Sequence, residues 1–142
     1  MRFAILVSRF NTEITGGLLA GAKSFLASQG IEVRSEDVFE APGAFEIPLL
    51  AQTLAKTKRY DGVIGLGCVI KGDTAHFEFI SLGATIGIMQ ASLSTETPIA
   101  FGILTTYTDE QAILRSRENP ENKGREAAAA CLESARLIKR LK

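Results

Sequence analysis

Apolar residues along this chain fall into short unbroken blocks, separated by longer stretches in which they recur every three or four positions. The first block, FAILV at Phe3 to Val7, is continuous, the pattern of a parallel strand covered on both faces. It stops at Ser8-Arg9-Phe10-Asn11. Asn11 or Thr12 is then placed to cap a helix whose apolar positions Ile14, Leu18, Ala22 and Phe25 step by four, four and three before Gly30 closes it. IEVRSEDVFE, Ile31 to Glu40, is a weaker strand pattern, and Ala41 to Ala44 (APGA) is a turn. Ile47, Leu50, Ala51 and Leu54 then mark one face of a second helix. GVIGLGCVI, Gly62 to Ile70, is the third block, and the spacing after it predicts a loop over Lys71 to Ala75 and a helix from about His76 to Leu93. PIAFGILTT, Pro98 to Thr106, is the fourth. Thr108 to Gln111 (TDEQ) has the reciprocal capping-box form. Pro120 interrupts RENPENKG, and the alanine-rich REAAAACLESARLIKRLK is helix-forming.

Strands alternating with helices at this spacing imply right-handed crossovers and an α/β fold. The expected architecture is a three-layer αβα sandwich with a mainly parallel four-stranded sheet of flavodoxin-like topology, one domain over residues 1–142. Ligands of such sheets bind beyond the carboxyl ends of the strands. The loops there are SRFN, APGAFE, KGDTAH and TTYTDEQ, which would bring Arg9, Phe10, Glu46, Lys71, Asp73, Thr74 and His76 to one edge.

Lys plus Arg and Asp plus Glu both number 16, so no net field draws the chain to nucleic acid or an anionic membrane. Cys68 and Cys131 lie 63 residues apart with no CxxC, and read as buried apolar groups in a reducing compartment; neither a metal site nor a disulfide is expected. The first apolar run is too short for a signal peptide or a membrane span, which makes the cytoplasm the expected location. An apolar fraction of 46% suits a compact fold, or one that also hides surface in an oligomer.

Several nucleotide motifs fail. GLGCVI supplies GxG, but Ile70 stands where the dinucleotide fingerprint needs its third glycine. Gly67 and Gly72 have phosphate-loop spacing, yet Lys71 precedes the second glycine and Asp73 follows it. A receiver domain needs acids after the first strand, where Arg9 and Phe10 stand, and the Ser/Thr-rich phosphate loop of a flavodoxin is missing there too. Gly72, Asp73 and Thr74 still form a glycine turn into a helix, whose N–H groups and dipole favour an anion unless Asp73 caps the helix itself. His76, the single histidine, is either a hydrogen-bonded structural residue or a proton carrier. Each of these residues also has a structural alternative: Phe10 and Phe101 as core aromatics, Glu46 as a charge at a helix start, and Arg115 as a solvated helix residue.

Taken together, RFN, APGAFEIP, LGCVIKGDTAHFEFI, FGILTT, EQA and NKG stand in the order and rough spacing of the lumazine synthases, and the chain resembles that family from Val7 to Leu137. The resemblance implies an enzyme without metal or organic cofactor. It would condense 5-amino-6-(D-ribitylamino)uracil with 3,4-dihydroxy-2-butanone 4-phosphate to dimethyl-ribityllumazine, releasing phosphate and water, in riboflavin biosynthesis. By the same resemblance Phe10 stacks on the ring, Ala44, Phe45 and Glu46 hold the ribityl chain, and Val69 and Ile70 meet the pyrimidine edge. Gly72, Asp73 and Thr74 receive the phosphate and His76 shuttles protons. A neighbouring subunit is implied to bring Phe101, Arg115 for the phosphate, and Lys123 near the pyrimidine.

The implied assembly is a homo-oligomer, a pentamer or a multiple of it up to an icosahedral capsid of sixty subunits, with riboflavin synthase as a candidate partner. The chain departs from the family pattern at Lys71, Cys68 and Asp73, where arginine, alanine and glutamate are common. RSRENPEN, ending at Asn122, replaces a glycine-rich stretch that bears on how pentamers join. The first core strand begins at residue 3, so no leading segment that crosses to a neighbour is expected. Two alternatives share the scaffold: a lumazine- or flavin-binding protein without turnover, and a shell-forming protein.

Overall fold

A computed structural model describes residues 1–142. Four strands, β1 (Phe3–Ser8), β2 (Val38–Ala41), β3 (Gly62–Ile70) and β4 (Ile99–Thr106), form one sheet in the order β2-β1-β3-β4, every pair parallel. Five helices accompany them: α1 (Thr12–Ser28), α2 (Ile47–Lys56), α3 (His76–Thr95), α4 (Asp109–Leu114) and α5 (Lys123–Leu141). The continuous apolar blocks have a direct cause, because both faces of the sheet are covered. Phe3 and Ile5 of β1 pack with Ile14, Leu18 and Leu132 toward α1 and α5. Ala4 and Leu6 pack with Ile47, Ala51 and Ile88 toward α2 and α3. This is the expected three-layer sandwich, and its 2-1-3-4 order is consistent with flavodoxin-like topology.

The glycines of β3 thin the strand as the sequence suggests. A Cβ on Gly65 would lie 2.9 Å from Ile47 Cγ2, so the bare backbone lets α2 close on the sheet. Gly30, just past α1, has φ 77°, a left-handed conformation that ends the helix without a Cβ penalty.

Local expectations fail where distant residues intervene. The stretch Ile31 to Glu40 is not one strand: a 3₁₀ turn occupies Ser35–Asp37 and only Val38–Ala41 pairs with β1. Asp37 is the reason. Its carboxylate is 2% exposed and takes hydrogen bonds from Arg2 Nε (2.9 Å), Arg2 Nη2 (2.8 Å) and the Tyr60 hydroxyl (2.9 Å). Asn11 sits at the N-cap of α1 with φ 55° and makes no side-chain cap bond; its left-handed backbone turns the chain, and its carbonyl accepts from Thr15 N. Leu26, rather than Phe25, completes the buried stripe of α1, while the Phe25 ring lies 5.4 Å from the Arg125 guanidinium. The capping box before α4 is shifted by one residue: Thr108 Oγ1 accepts from Gln111 N, but Gln111 Oε1 accepts from Tyr107 N rather than from Thr108 N.

The Arg2–Asp37–Tyr60 cluster makes a pH-dependent prediction. Hydrogen bonds from Arg2 hold the Asp37 carboxyl below its usual 3.8, outweighing the opposing effect of burial. A carboxylate with a depressed folded pKa contributes stability above its unfolded value, and that contribution is lost as pH falls through the folded one. Asp37→Asn is therefore expected to lower Tm by about 3 to 8 °C at neutral pH, with the gap to the wild type narrowing once pH drops below the usual carboxylate value. Thermal melts across that range test this, and a gap that stays constant into strong acid would exclude it.

Candidate active site

The carboxyl ends of β1 and β3 mark the point where the strand order reverses, the crevice in which open α/β sheets hold ligands. Beyond β1, Arg9 N donates to the Ala41 carbonyl at 3.0 Å, which draws the Arg9-Phe10 loop against the end of β2. The Phe10 ring is 67% exposed, so the core-aromatic reading fails. An ideal Cβ on Gly43 would stand 3.1 Å from Glu46 Oε1 and 3.7 Å from Phe10 Cδ2, so the aromatic plate and the carboxylate flank the same glycine. Gly43 and Ala44 are buried, and Phe45 lays its ring against Gly83 of α3, while Glu46 faces solvent.

Beyond β3 the sheet pairing runs on to Val69 and Ile70, opposite Thr105 and Thr106, and Lys71 N still donates to the Thr106 carbonyl at 2.9 Å. Val69 and Ile70 are half-buried, and Gly72, Asp73, Thr74 and His76 are all exposed. Asp73 does not cap α3: the N-cap is Ala75, without a side-chain bond, and Thr74 Oγ1 accepts from His76 N at 3.4 Å. The first N–H groups of the 20-residue helix thus keep their donors free of a carboxylate. The His76 imidazole makes no hydrogen bond within the protein, against the structural reading of it.

The remaining three residues gather elsewhere. Phe101, Arg115 and Lys123 line a groove of about 520 Å³ along the free edge of β4, together with Thr105, Glu121 and Glu126. Neither Phe10, Glu46 nor His76 lines it. Arg115 is the C-cap residue of α4; one guanidinium nitrogen donates to the Gln111 carbonyl at 3.0 Å, and it forms no ion pair. Lys123 starts α5 and pairs with Glu126 Oε1 at 3.1 Å, so Arg115 is the more available cation of the two. Lys123 N donates to the Arg115 carbonyl at 2.9 Å, which joins the two helices' ends. Phe101 is half-buried against the α2–α3 side of the core, so it serves packing and groove lining together.

Sequence reasoning missed Asn122, which organises this groove from behind. At 2% exposure its Nδ2 donates to the carbonyls of Gly17 (3.1 Å) and Arg117 (2.8 Å), and its Oδ1 accepts from Arg125 N (3.0 Å). An asparagine directly before a helix start was the available signal. Its partner in α1 lies 105 residues away and leaves no mark on the local pattern.

Cys68 and Cys131 are free and buried, their thiols pushed up to about 11 and about 12 by burial, and so inert at neutral pH. No group of three or more His, Cys, Asp or Glu side chains is placed to hold a metal ion. No helix is long and apolar enough to cross a membrane.

The parallel αβα sandwich sets an exposed aromatic ring, a carboxylate and an unbonded imidazole beyond its strand ends, where α/β proteins of this class hold small-molecule ligands. Residues 1–139 match the family model of 6,7-dimethyl-8-ribityllumazine synthase, and the chain belongs to that family. It is 63% identical over 141 residues to 6,7-dimethyl-8-ribityllumazine synthase 1 of Caulobacter vibrioides, covering 99% of this chain and 92% of that protein. The enzyme of the same name from Salinibacter ruber is 49% identical over 140 residues, covering 99% and 90%. That from Nitratidesulfovibrio vulgaris is 47% identical over 141 residues, also covering 99% and 90%.

Proposed function

We propose that this chain is a transferase that condenses 5-amino-6-(D-ribitylamino)uracil with 3,4-dihydroxy-2-butanone 4-phosphate, giving 6,7-dimethyl-8-ribityllumazine with release of phosphate and water. The observation that carries the reading is the family match over residues 1–139, joined to Phe10, Glu46, the Gly72 to Thr74 turn and His76 exposed beyond the strand ends and to Arg115 and Lys123 along the β4 edge. Phe10 offers a face for the pyrimidine, and Val69 and Ile70 offer backbone groups to its edge. Glu46 and the backbone of Ala44 and Phe45 take the ribityl hydroxyls. Gly72, Asp73 and Thr74 turn toward the phosphate, and His76 carries protons.

The chemistry asks for little more. The arylamine attacks the ketone and a first water leaves as the imine forms. Phosphate departs by elimination, the resulting enol tautomerises to a carbonyl, and the second amine attacks that carbonyl with loss of a second water to close the ring. Each step moves a proton, and an imidazole with both nitrogens unengaged can accept one and return it. Much of the acceleration comes from holding two reactants in register. Mixing the purified protein with both substrates should generate lumazine fluorescence. A protein that binds lumazine or flavin without turnover, or that only forms shells, yields none, and that result would sink the proposal.

The active unit is an assembly in which Phe101, Arg115 and Lys123 of one copy complete the site of the next, a head-to-tail contact that closes into a ring. The ring is read as a pentamer, alone or in multiples. Two features support self-association. The first is that Phe10, Glu46 and His76 do not line the β4-edge groove that Phe101, Arg115 and Lys123 share. The second is α3, where Phe79, Leu82, Ile86, Met89 and Leu93 repeat by three and four residues and are 48% to 71% exposed. Glu78 is the only acid or base from residue 77 to 95, and so apolar a face in water calls for a partner. Ile86→Glu should reduce the native mass to that of the 15.3 kDa chain and cut activity more than about 10-fold while leaving helical content intact. An active, fully assembled Ile86→Glu protein would remove α3 from the interface.

A further inference from the structure

Tyr107 plays no part in the reading above, yet its surroundings tie it to the phosphate turn. It follows β4 and precedes α4, and its backbone is held from the α4 side. Tyr107 N donates to Gln111 Oε1 at 2.9 Å, and the neighbouring Thr106 hydroxyl donates to the Thr108 carbonyl at 3.0 Å. The ring thus projects from a fixed point, while at 67% exposure it contributes little to the core. Two side chains rest on it. Lys71 Nζ lies 5.7 Å from the ring centroid, within cation–π range, and the Phe77 ring lies 6.0 Å away, tilted by 46°.

Lys71 and Phe77 bracket the segment from Gly72 to His76. That segment has few restraints of its own. Inside it the single side-chain hydrogen bond is the long one from His76 N to Thr74 Oγ1, at 3.4 Å, and the side chains of Asp73 and His76 make none. One aromatic ring therefore contacts the residues at both ends of an otherwise lightly held turn.

We propose that Tyr107 is a positioning residue. Its ring clamps Lys71 and Phe77 so that the Gly72-Asp73-Thr74 turn and the His76 imidazole are held ready for the phosphorylated substrate. This rests on the reading of that turn as the phosphate site. The ring face and edge do the work, because the hydroxyl makes no hydrogen bond within the protein.

The test is steady-state kinetics on the assembled enzyme with Tyr107→Ala, Tyr107→Leu and Tyr107→Phe. Tyr107→Ala is expected to raise KM for the phosphorylated butanone about 3- to 10-fold, with KM for the pyrimidine changed less than about 2-fold. Tyr107→Leu, which keeps a contact for Phe77 but loses the cation–π pair, falls between, and Tyr107→Phe restores the wild-type KM. Native mass and helical content stay the same in all three. Unchanged KM in Tyr107→Ala, or a Tyr107→Phe as impaired as Tyr107→Ala, overturns the inference. Arg115→Ala measured in parallel separates the two levels. If it raises the butanone KM and Tyr107→Ala does not, only the positioning role is lost; if neither does, the phosphate reading of the site falls and takes this inference with it.

Discussion

Chains carrying His76→Ala, mixed 1:1 with chains carrying Arg115→Ala and reassembled, regain about a quarter of the wild-type rate, although each variant is slow by itself. The expectation follows from where the two side chains lie. His76 opens α3 beyond the end of β3, whereas Arg115 lines a groove along the β4 edge that His76, Phe10 and Glu46 do not share. A composite site drawing its imidazole from one copy and its arginine from the next is intact only when both halves come from unmutated contributors. Random mixing gives each half about an even chance, hence the quarter. A mixture no faster than the mean of the two variants would mean that each protomer completes its own site, and the assembly proposal would fall.

The second large effect is the ranking of the two variants. At saturating substrate, Arg115→Ala is expected to cost about 10³-fold, against about 10- to 10²-fold for His76→Ala. Phosphate is both the handle of the four-carbon substrate and the group that leaves. A guanidinium that pairs with it therefore serves binding and the charge that develops on departure. The proton transfer proposed for His76 is easier to replace. The substrates' own amines and bound water can pass the same protons, so catalysis slows without stopping. Steady-state rates decide the matter, and a dead His76→Ala beside a healthy Arg115→Ala would reverse the ranking.

The loop from Ser116 to Asn122 shows how a pattern can be read correctly and still say little. Pro120 announces a break between two helices, and the break is there, between Leu114 and Lys123. What holds the break in shape is Asn122, with partners in α1 and in the loop itself, and no local rule connects position 122 to position 17. Asp37 is a parallel case. Its neighbours in sequence suggest strand, but a buried carboxylate must find partners, and it finds them in Arg2 and Tyr60, each in another part of the chain.

Sequence alone determined the strands buried on both faces, the alternation that makes the sheet parallel, and the ordered motifs that place the chain in its family. Those features are written in local periodicity and local chemistry. Tertiary structure decided that Asp73 leaves α3 uncapped, which face of α3 stays bare, that Phe10 and Glu46 share one glycine, and that Arg115 and Lys123 line one groove along the β4 edge. It also put Tyr107 against Lys71 and Phe77, residues more than 25 positions earlier. The physical reason is that strand order and helix packing set which distant side chains meet, and a pattern with a period of two or 3.6 residues carries no record of those meetings.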